Sequence, residues 1–139
     1  MSPAKILVAD DDPDILNFHR LLLSPLFDVV FARDGLEAWK FFQAERPRLV
    51  LTDLNMPGMN GLELSQKIRA HPELGTTPII ILTGTTRNTD LPPGFWKMGT
   101  GANAYLEKPI SGDALLAEIR KQLLLTANAT PLPPGTGSY

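Results

Sequence analysis

Short apolar runs alternate with amphipathic stretches along most of this 139-residue chain. Runs of this length, rich in Val, Leu and Ile, are typical of strands that are buried on both faces. The five predicted strands are Lys5 to Ala9, Asp28 to Ala32, Arg48 to Asp53, Pro78 to Thr83, and Asn103 to Glu107. Because helical patterns separate successive strands, we predict an α/β fold: a parallel sheet with right-handed crossovers and helices on both faces.

Helix start signals precede the amphipathic stretches. Asp12 can cap a first helix whose first position is Pro13, where the missing backbone N–H does no harm. Asp34 is followed three residues later by Glu37, which is the spacing of a capping box for a second helix. The predicted caps of the third and the last helix are Asn60 and Ser111.

One segment breaks the alternation between the fourth and fifth strands. Thr85 to Gly101 stands where a helix is expected, but it contains Pro92, Pro93 and three glycines. Both residue types destabilise the interior of a helix. We therefore predict a long loop after Thr83 and a helix that is short or irregular, around Gly94 to Met98.

The C-terminal residues have a different composition from the rest of the chain. Residues 126–139 include Pro131, Pro133, Pro134, Gly135 and Gly137. Such a composition favours an extended or flexible linker over a packed domain. The sequence predicts one domain over residues 1–125 and a flexible tail or linker over residues 126–139.

Composition and charge exclude several classes of function. The net charge of -2 argues against a nucleic-acid interface, which needs clustered Lys and Arg. No run of 18 apolar residues is present, so we expect no membrane span. Without cysteine the chain has no disulfide framework and no thiolate metal site. The N-terminus lacks the apolar core of a signal peptide, and we expect a cytoplasmic location.

Acidic side chains follow two of the predicted strands. Asp10 and Asp11 come directly after the first strand, and Asp53 ends the third. The carboxyl ends of parallel strands meet at one edge of an open sheet, where ligands bind. Three carboxylates there would repel one another unless a cation joined them. Helix capping and the helix dipole, by contrast, account for Asp12 and Asp14.

Five motifs at strand ends together resemble the receiver domain of two-component response regulators. They are Asp10-Asp11, Asp53, Met56-Pro57-Gly58 with Gly61, Thr83-Gly84, and Tyr105-Leu106-Glu107-Lys108-Pro109. The resemblance runs from about Lys5 to Leu125, and the segment before Gly101 is longer than the family's usual spacing. It implies a flavodoxin-like doubly wound sheet of five parallel strands in the order 2-1-3-4-5.

The resemblance implies a phosphoryl acceptor and a metal site. Asp53 would be the nucleophile that becomes an aspartyl phosphate. Asp11, Asp53 and the backbone carbonyl of Asn55 would hold Mg²⁺, with Asp10 as a direct or water-mediated partner. Hard oxygen ligands at an open, hydrated site suit this ion.

The resemblance also implies roles for three residues on the last two strands. Lys108 would pair with Asp53 and then with a phosphate oxygen, and the Lys108–Pro109 bond would be cis. Thr83 would bond a phosphate oxygen by moving inward. Thr83 and Tyr105 would then move together as the switch.

The implied function is a signalling switch that takes a phosphoryl group from a histidine kinase or a phosphotransfer protein. It would catalyse its own phosphorylation and slow dephosphorylation, and change its surface for an unknown downstream effector. We expect no nucleic acid or membrane as a partner of this domain, and a monomer or weak dimer. The alternative is a receiver-like interaction module that works without phosphorylation. A haloacid-dehalogenase phosphatase would need a second Asp where this chain has Asn55.

Overall fold

The computed structural model describes residues 3–84 and 101–129. The strands are β1 (Lys5–Ala9), β2 (Asp28–Ala32), β3 (Leu49–Asp53), β4 (Ile79–Thr83) and β5 (Ala104–Glu107). The described helices are α1 (Pro13–Leu23), α2 (Gly35–Glu45), α3 (Gly61–Arg69) and α4 (Gly112–Ala129). The last three strands each begin one residue later than predicted.

The strands form one parallel sheet in the order β2-β1-β3-β4-β5, as predicted. The chain moves outward from β1 to β2 and then crosses back to β3, so the winding direction reverses between β1 and β3. In doubly wound sheets this reversal leaves a crevice beyond the carboxyl ends of the two strands. The acidic residues that follow β1 and end β3 therefore lie at the crevice.

Apolar side chains cover both faces of the sheet and make two cores. On one face, helices α2 and α3 contribute Ala38, Phe42, Leu64 and Ile68. On the other face, helices α1 and α4 contribute Leu16, Leu23, Leu115 and Ile119. Every residue of β3 and β4 is buried, which explains their almost unbroken apolar sequence.

The predicted cap residues start their helices. The Asp12 carboxylate accepts a hydrogen bond from Asp14 N at 2.9 Å at the start of α1. At α3 the Asn60 side chain accepts from Glu63 N at 2.8 Å, and the Glu63 carboxylate accepts from Asn60 N at 3.1 Å. Ser111 Oγ accepts from Ala114 N at 3.1 Å before α4. These side chains satisfy N–H groups that have no partner within the helix.

The predicted capping box of α2 is only half correct. The Asp34 carboxylate accepts from Glu37 N at 2.8 Å, as a cap should. The Glu37 carboxylate, however, accepts from the backbone N of Arg33 at 2.8 Å, one residue before the cap. Its other oxygen lies 3.5 Å from the guanidinium of Arg33.

Arg69, in the last turn of α3, fixes the chain at the amino-terminal edge of the sheet. Its Nη1 donates to the carbonyls of Gly75 and Thr77 at 3.0 and 2.7 Å. Its Nε donates to the carbonyl of Gly101 at 2.9 Å, and its Nη2 donates to Asn103 Oδ1 at 2.8 Å. One guanidinium therefore ties α3 to the turn before β4 and to the entry of β5.

The two histidines have different surroundings. His71 Nδ1 accepts hydrogen bonds from the backbone N of Glu73 and Leu74 at 3.1 and 3.0 Å, so this nitrogen is satisfied. His19 is an exception to the rule that buried polar atoms have hydrogen-bond partners. Its side chain is 2% exposed, and its Nδ1 has no hydrogen-bond partner among the described residues. Helical spacing from Leu16 and Leu23 puts it on the buried face of α1.

Two predictions concern segments at or beyond the limits of the described residues. Helix α4 continues to Ala129, past Leu125, and so enters the segment predicted as a tail. Residues 130–139 and the predicted loop with its short helix between Thr85 and Met98 lie outside the described residues, and these stay predictions. Of the helices described, none is long and apolar enough to cross a membrane.

Candidate functional site

Three carboxylates meet where β1 and β3 end. Asp10 and Asp11 follow β1, Asp53 ends β3, and one carboxylate oxygen from each lies within 4.8 Å of the others. Asp10 and Asp53 are 1% and 7% exposed, whereas Asp11 faces solvent. The neighbouring positions of β1 and β3 in the sheet bring together residues that lie far apart in the sequence.

Lys108 enters this cluster from the loop after β5. Its ammonium donates to Asp53 Oδ1 at 3.0 Å and to Asp10 Oδ2 at 3.1 Å. Its backbone N donates to the carbonyl of Thr83 at 2.7 Å, and the Lys108–Pro109 bond is cis, as predicted. The contact with Asp10 was not foreseen, because sequence spacing does not indicate which carboxylates a long side chain reaches.

Burial and charge act in opposite directions on these groups. Burial raises the pKa of the Asp53 carboxyl, and the charges of Asp10 and Asp11 add to this, while the hydrogen bond from Lys108 opposes it. Burial lowers the pKa of Lys108, but its hydrogen bonds and attraction to Asp53 and Asp10 outweigh this, so the pKa is raised overall. Among the described residues, three carboxylates face one ammonium, which leaves the cluster short of positive charge.

The carboxylate oxygens of the cluster that accept no hydrogen bond are suitable ligands for a hydrated divalent cation. Both oxygens of Asp10 already accept hydrogen bonds, Oδ1 from Asp12 N at 3.0 Å and Oδ2 from Lys108. Asp11 is exposed, and only one oxygen of Asp53, Oδ1, accepts a hydrogen bond from Lys108. Carboxylate oxygens at an open edge are the ligands that Mg²⁺ prefers, since this ion retains much of its water. Asp11 and Asp53 are the carboxylates best placed for it.

The loop after Asp53 is held by close backbone packing. Leu54 N donates to the carbonyl of Leu82 at 2.9 Å, and Gly61 N donates to the carbonyl of Leu54 at 2.8 Å. A Cβ on Gly61 would lie 2.5 Å from the Asp53 carbonyl oxygen, so only glycine lets α3 begin here. A Cβ on Gly35 would lie 1.7 Å from the carbonyl oxygen of Met59, so α2 presses on the same loop.

Thr83 and Tyr105 lie on neighbouring strands. Thr83 ends β4 at the same edge as the carboxylates and is 7% exposed. Tyr105 pairs with Ile81 across β4 and β5 and packs, partly buried, against the core under α2 and α3. The aromatic residues of α2 also belong to this core, and Phe42 is fully buried.

An apolar cavity of about 420 Å³ opens beside Lys108. It is lined by Ile15, Phe18, Gly84, Lys108, Pro109 and Ile110. Sequence reasoning did not find it, although Ile15 and Phe18 stand three residues apart on one face of α1. The cavity places an apolar surface next to the charged cluster.

Comparison with known proteins assigns the chain to a family. The family model of the response regulator receiver domain matches residues 6–120. The chain is 36% identical over 120 residues to the DNA-binding response regulator MtrA of Mycolicibacterium smegmatis, covering 86% of this chain and 50% of that protein. It is 32% identical over 123 residues to the response regulator Rre1 of Synechocystis, covering 87% and 52%.

Solved structures agree with this assignment. The chemotaxis response regulator CheY4 of Vibrio cholerae superposes with a TM-score of 0.77 at 29% identity, over 87% of this chain and 99% of that chain. A response regulator structure from Chloroflexus aurantiacus gives 0.80 at 29% identity, over 88% and 99%. The chain belongs to the response regulator receiver domain family of two-component systems. It spans about half the length of these curated relatives.

Proposed function

We propose that this domain is a phosphorylation-dependent signalling switch whose acceptor is Asp53. The observation that carries the proposal is the single cluster of Asp53, Asp10, Asp11 and Lys108 at the switch point of the sheet. The Asp53 carboxylate is mostly buried there, and Lys108 Nζ lies 3.0 Å from its Oδ1. Buried clusters of this kind, with a perturbed pKa at a strand end, are typical of functional sites.

Asp11, Asp53 and the backbone carbonyl of Asn55 would hold Mg²⁺. Asp10 would act mainly through water, because both of its oxygens already accept hydrogen bonds. The bound ion would neutralise charge on the transferring phosphoryl group. The exposed position of Asn55, two residues after Asp53, supports this ligand set.

Asp53 would attack the phosphorus of a phosphohistidine on a histidine kinase or a phosphotransfer protein. A P–O bond forms, the P–N bond breaks, and the donor imidazole leaves with the electron pair and takes a proton from solvent. Lys108 stays charged, because its pKa is raised, and can donate to a phosphoryl oxygen. The domain would thus catalyse its own phosphorylation and its slow reversal.

The Thr83 hydroxyl would turn toward the phosphoryl group, and Tyr105 would move into the space that it leaves. The two residues lie on adjacent strands, which supports a concerted change. A hydrogen bond formed at one edge would thereby change the surface that a downstream effector contacts.

The proposal is tested by labelling with radioactive acetyl phosphate in the presence of Mg²⁺. Asp53→Asn removes the anionic oxygen and should abolish labelling, while Asp113→Asn, at an exposed position in the first turn of α4, should label like the wild type. Undiminished labelling of Asp53→Asn would contradict the proposal. A wild-type protein that takes up no label would favour the phosphorylation-independent interaction module.

A further inference from the structure

Thr52, the residue before the proposed phosphoryl acceptor, makes a side-chain hydrogen bond to the backbone. Its side chain is fully buried, and its hydroxyl donates to the backbone carbonyl of Asp53 at 2.9 Å. The same oxygen lies 3.9 Å from the sulfur of Met56. A threonine hydroxyl has one proton, and a thioether is a weak acceptor, so the bond to the Asp53 carbonyl is the strong one.

The sheet explains why this carbonyl needs a donor. The pairing of β3 with β1 ends at Thr52, opposite Ala9, whereas the pairing with β4 continues to Asp53, opposite Leu82. Strand β3 therefore extends one residue, Asp53, beyond the end of its pairing with β1. Gly61 also packs close to the Asp53 carbonyl, because a Cβ there would lie 2.5 Å from its oxygen. A buried carbonyl without a partner costs free energy, and the Thr52 hydroxyl supplies one.

The position of the hydroxyl links the two ends of a short loop. It contacts Asp53 on one side and Met56 on the other, and Leu54 and Asn55 lie between them. Leu54 is itself fixed by its N–H bond to the carbonyl of Leu82 at 2.9 Å. The orientation of the Asn55 carbonyl thus depends on a stretch held at both ends.

We propose that Thr52 is a positioning residue that sets the Asp53 peptide and the Asn55 carbonyl for a divalent cation. The proposal rests on the proposed function, because it assumes that this carbonyl and Asp53 hold Mg²⁺. Thr52 touches neither the ion nor the phosphoryl group. It acts through the backbone of Asp53 and Asn55, which are the residues that would contact the ion.

A second threonine provides a matched control. Thr77 is 7% exposed, and its hydroxyl donates to the backbone carbonyl of Leu74 at 2.8 Å. It lies before β4, at the opposite edge of the sheet from the carboxylates. If the Thr52 bond served only to stabilise the fold, loss of either hydroxyl would have the same consequences.

The experiment compares Thr52→Val, Thr52→Ser and Thr77→Val with the wild type. Valine keeps the shape and removes the hydroxyl, whereas serine keeps the hydroxyl. Mg²⁺ affinity is measured by isothermal titration calorimetry, and thermal unfolding without Mg²⁺ is followed by circular dichroism. Labelling with acetyl phosphate is the third measurement. Both valine variants should unfold at lower temperature. Only Thr52→Val should weaken Mg²⁺ binding, by roughly fivefold to tenfold, the factor for one net hydrogen bond.

Thr52→Ser should bind Mg²⁺ like the wild type. Wild-type affinity in Thr52→Val, or an equal loss in Thr77→Val, would overturn the inference while leaving the proposed function in place. A wild-type protein that neither binds Mg²⁺ nor takes up label would overturn both. If Thr52→Val fails to fold, Thr52→Cys retains a weak S–H donor and should give a smaller loss in affinity, and no loss there would overturn the inference.

Discussion

The ammonium of Lys108 lies 3.0 Å from Asp53 Oδ1, and the same ammonium lies 3.1 Å from Asp10 Oδ2. The three residues follow or end β5, β3 and β1, so the contact spans the central part of the sheet. One cation compensates two buried carboxylates. Its removal would leave them close together, with no other positive group from the described residues in contact.

Lys108→Ala should therefore destabilise the metal-free protein by about 2 kcal/mol at pH 7, less than the loss of a fully buried ion pair, because Lys108 is partly solvated. The variant should still bind Mg²⁺, and the ion should stabilise it more than it stabilises the wild type. Urea unfolding with and without Mg²⁺ measures both effects. Lys40→Ala, at an exposed position on α2, is the control and should change neither. Equal stabilisation of variant and wild type by Mg²⁺ would contradict this account.

Asp53 should make the metal-free fold less stable at neutral pH than in mild acid. Its pKa is raised above the ordinary value of 3.8, so the folded protein binds this proton at a higher pH than the unfolded chain does. The stabilisation from protonation is complete below 3.8 and is lost as the pH rises through the raised pKa.

Asp53→Asn should consequently raise the melting temperature at pH 7 without Mg²⁺, and this gain should shrink as the pH falls toward 3.8. Thermal unfolding from pH 3.5 to pH 7.5 tests this. Saturating Mg²⁺ should reverse the order at pH 7, because the variant lacks one of the two anionic ligands and the ion stabilises it less than the wild type. A gain that is independent of pH would contradict the assignment.

The two histidines should respond oppositely to the same substitution. His19 Nδ1 is buried and has no partner within the described residues, so His19→Leu should stabilise the fold by about 1 kcal/mol at pH 7. His71 Nδ1 accepts two backbone N–H bonds, so His71→Leu should destabilise it by about 1 to 2 kcal/mol. Chemical denaturation of both variants is the measurement. Neither substitution should change labelling of Asp53.

His19 should make a contribution to stability whose pH dependence is opposite in sign to that of Asp53, because this contribution is lost in mild acid. Burial lowers the pKa of His19 below its ordinary 6.5, nearby Asp10 opposes this, and Lys108 adds to it. The unfolded chain therefore takes up the proton first, and stability is lost as the pH falls from about 6.5 toward the lowered pKa. His19→Leu should remove this loss, and an unchanged pH profile in that variant would contradict the assignment.

The sequence was sufficient for features that depend on local pattern. The apolar run that ends in Asp53 predicted β3, and Asp12 before Pro13 predicted the start of α1. The burial of His19 also follows from local pattern, since it has helical spacing from Leu16 and Leu23. A periodic position indicates burial better than residue type does when the neighbours are leucines.

Features that depend on backbone acceptors could not be predicted. Three of the four bonds from Arg69 end on main-chain carbonyls, and every residue type carries such a carbonyl. The same holds for the hydroxyl of Thr52, whose partner is the carbonyl of Asp53. Such contacts need the fold first, because no side-chain motif identifies the acceptor.

The proposed coupling of Thr83 to the effector surface makes a final prediction. Trp96 lies between Thr83 and Tyr105 in the sequence, in the segment outside the described residues, and its emission should report activation. Trp39 is stacked on Phe42 with ring centroids 5.8 Å apart, so Trp39→Phe should remove the background signal with little rearrangement. In this background, beryllofluoride with Mg²⁺ should change Trp96 emission.

Thr83→Ala should largely abolish the change, because no hydroxyl remains to follow the phosphoryl mimic, while Thr83→Ser should retain it. Binding of the mimic to Asp53, followed independently by ¹⁹F NMR, should persist in Thr83→Ala; a full emission change in that variant would show that the switch does not pass through Thr83.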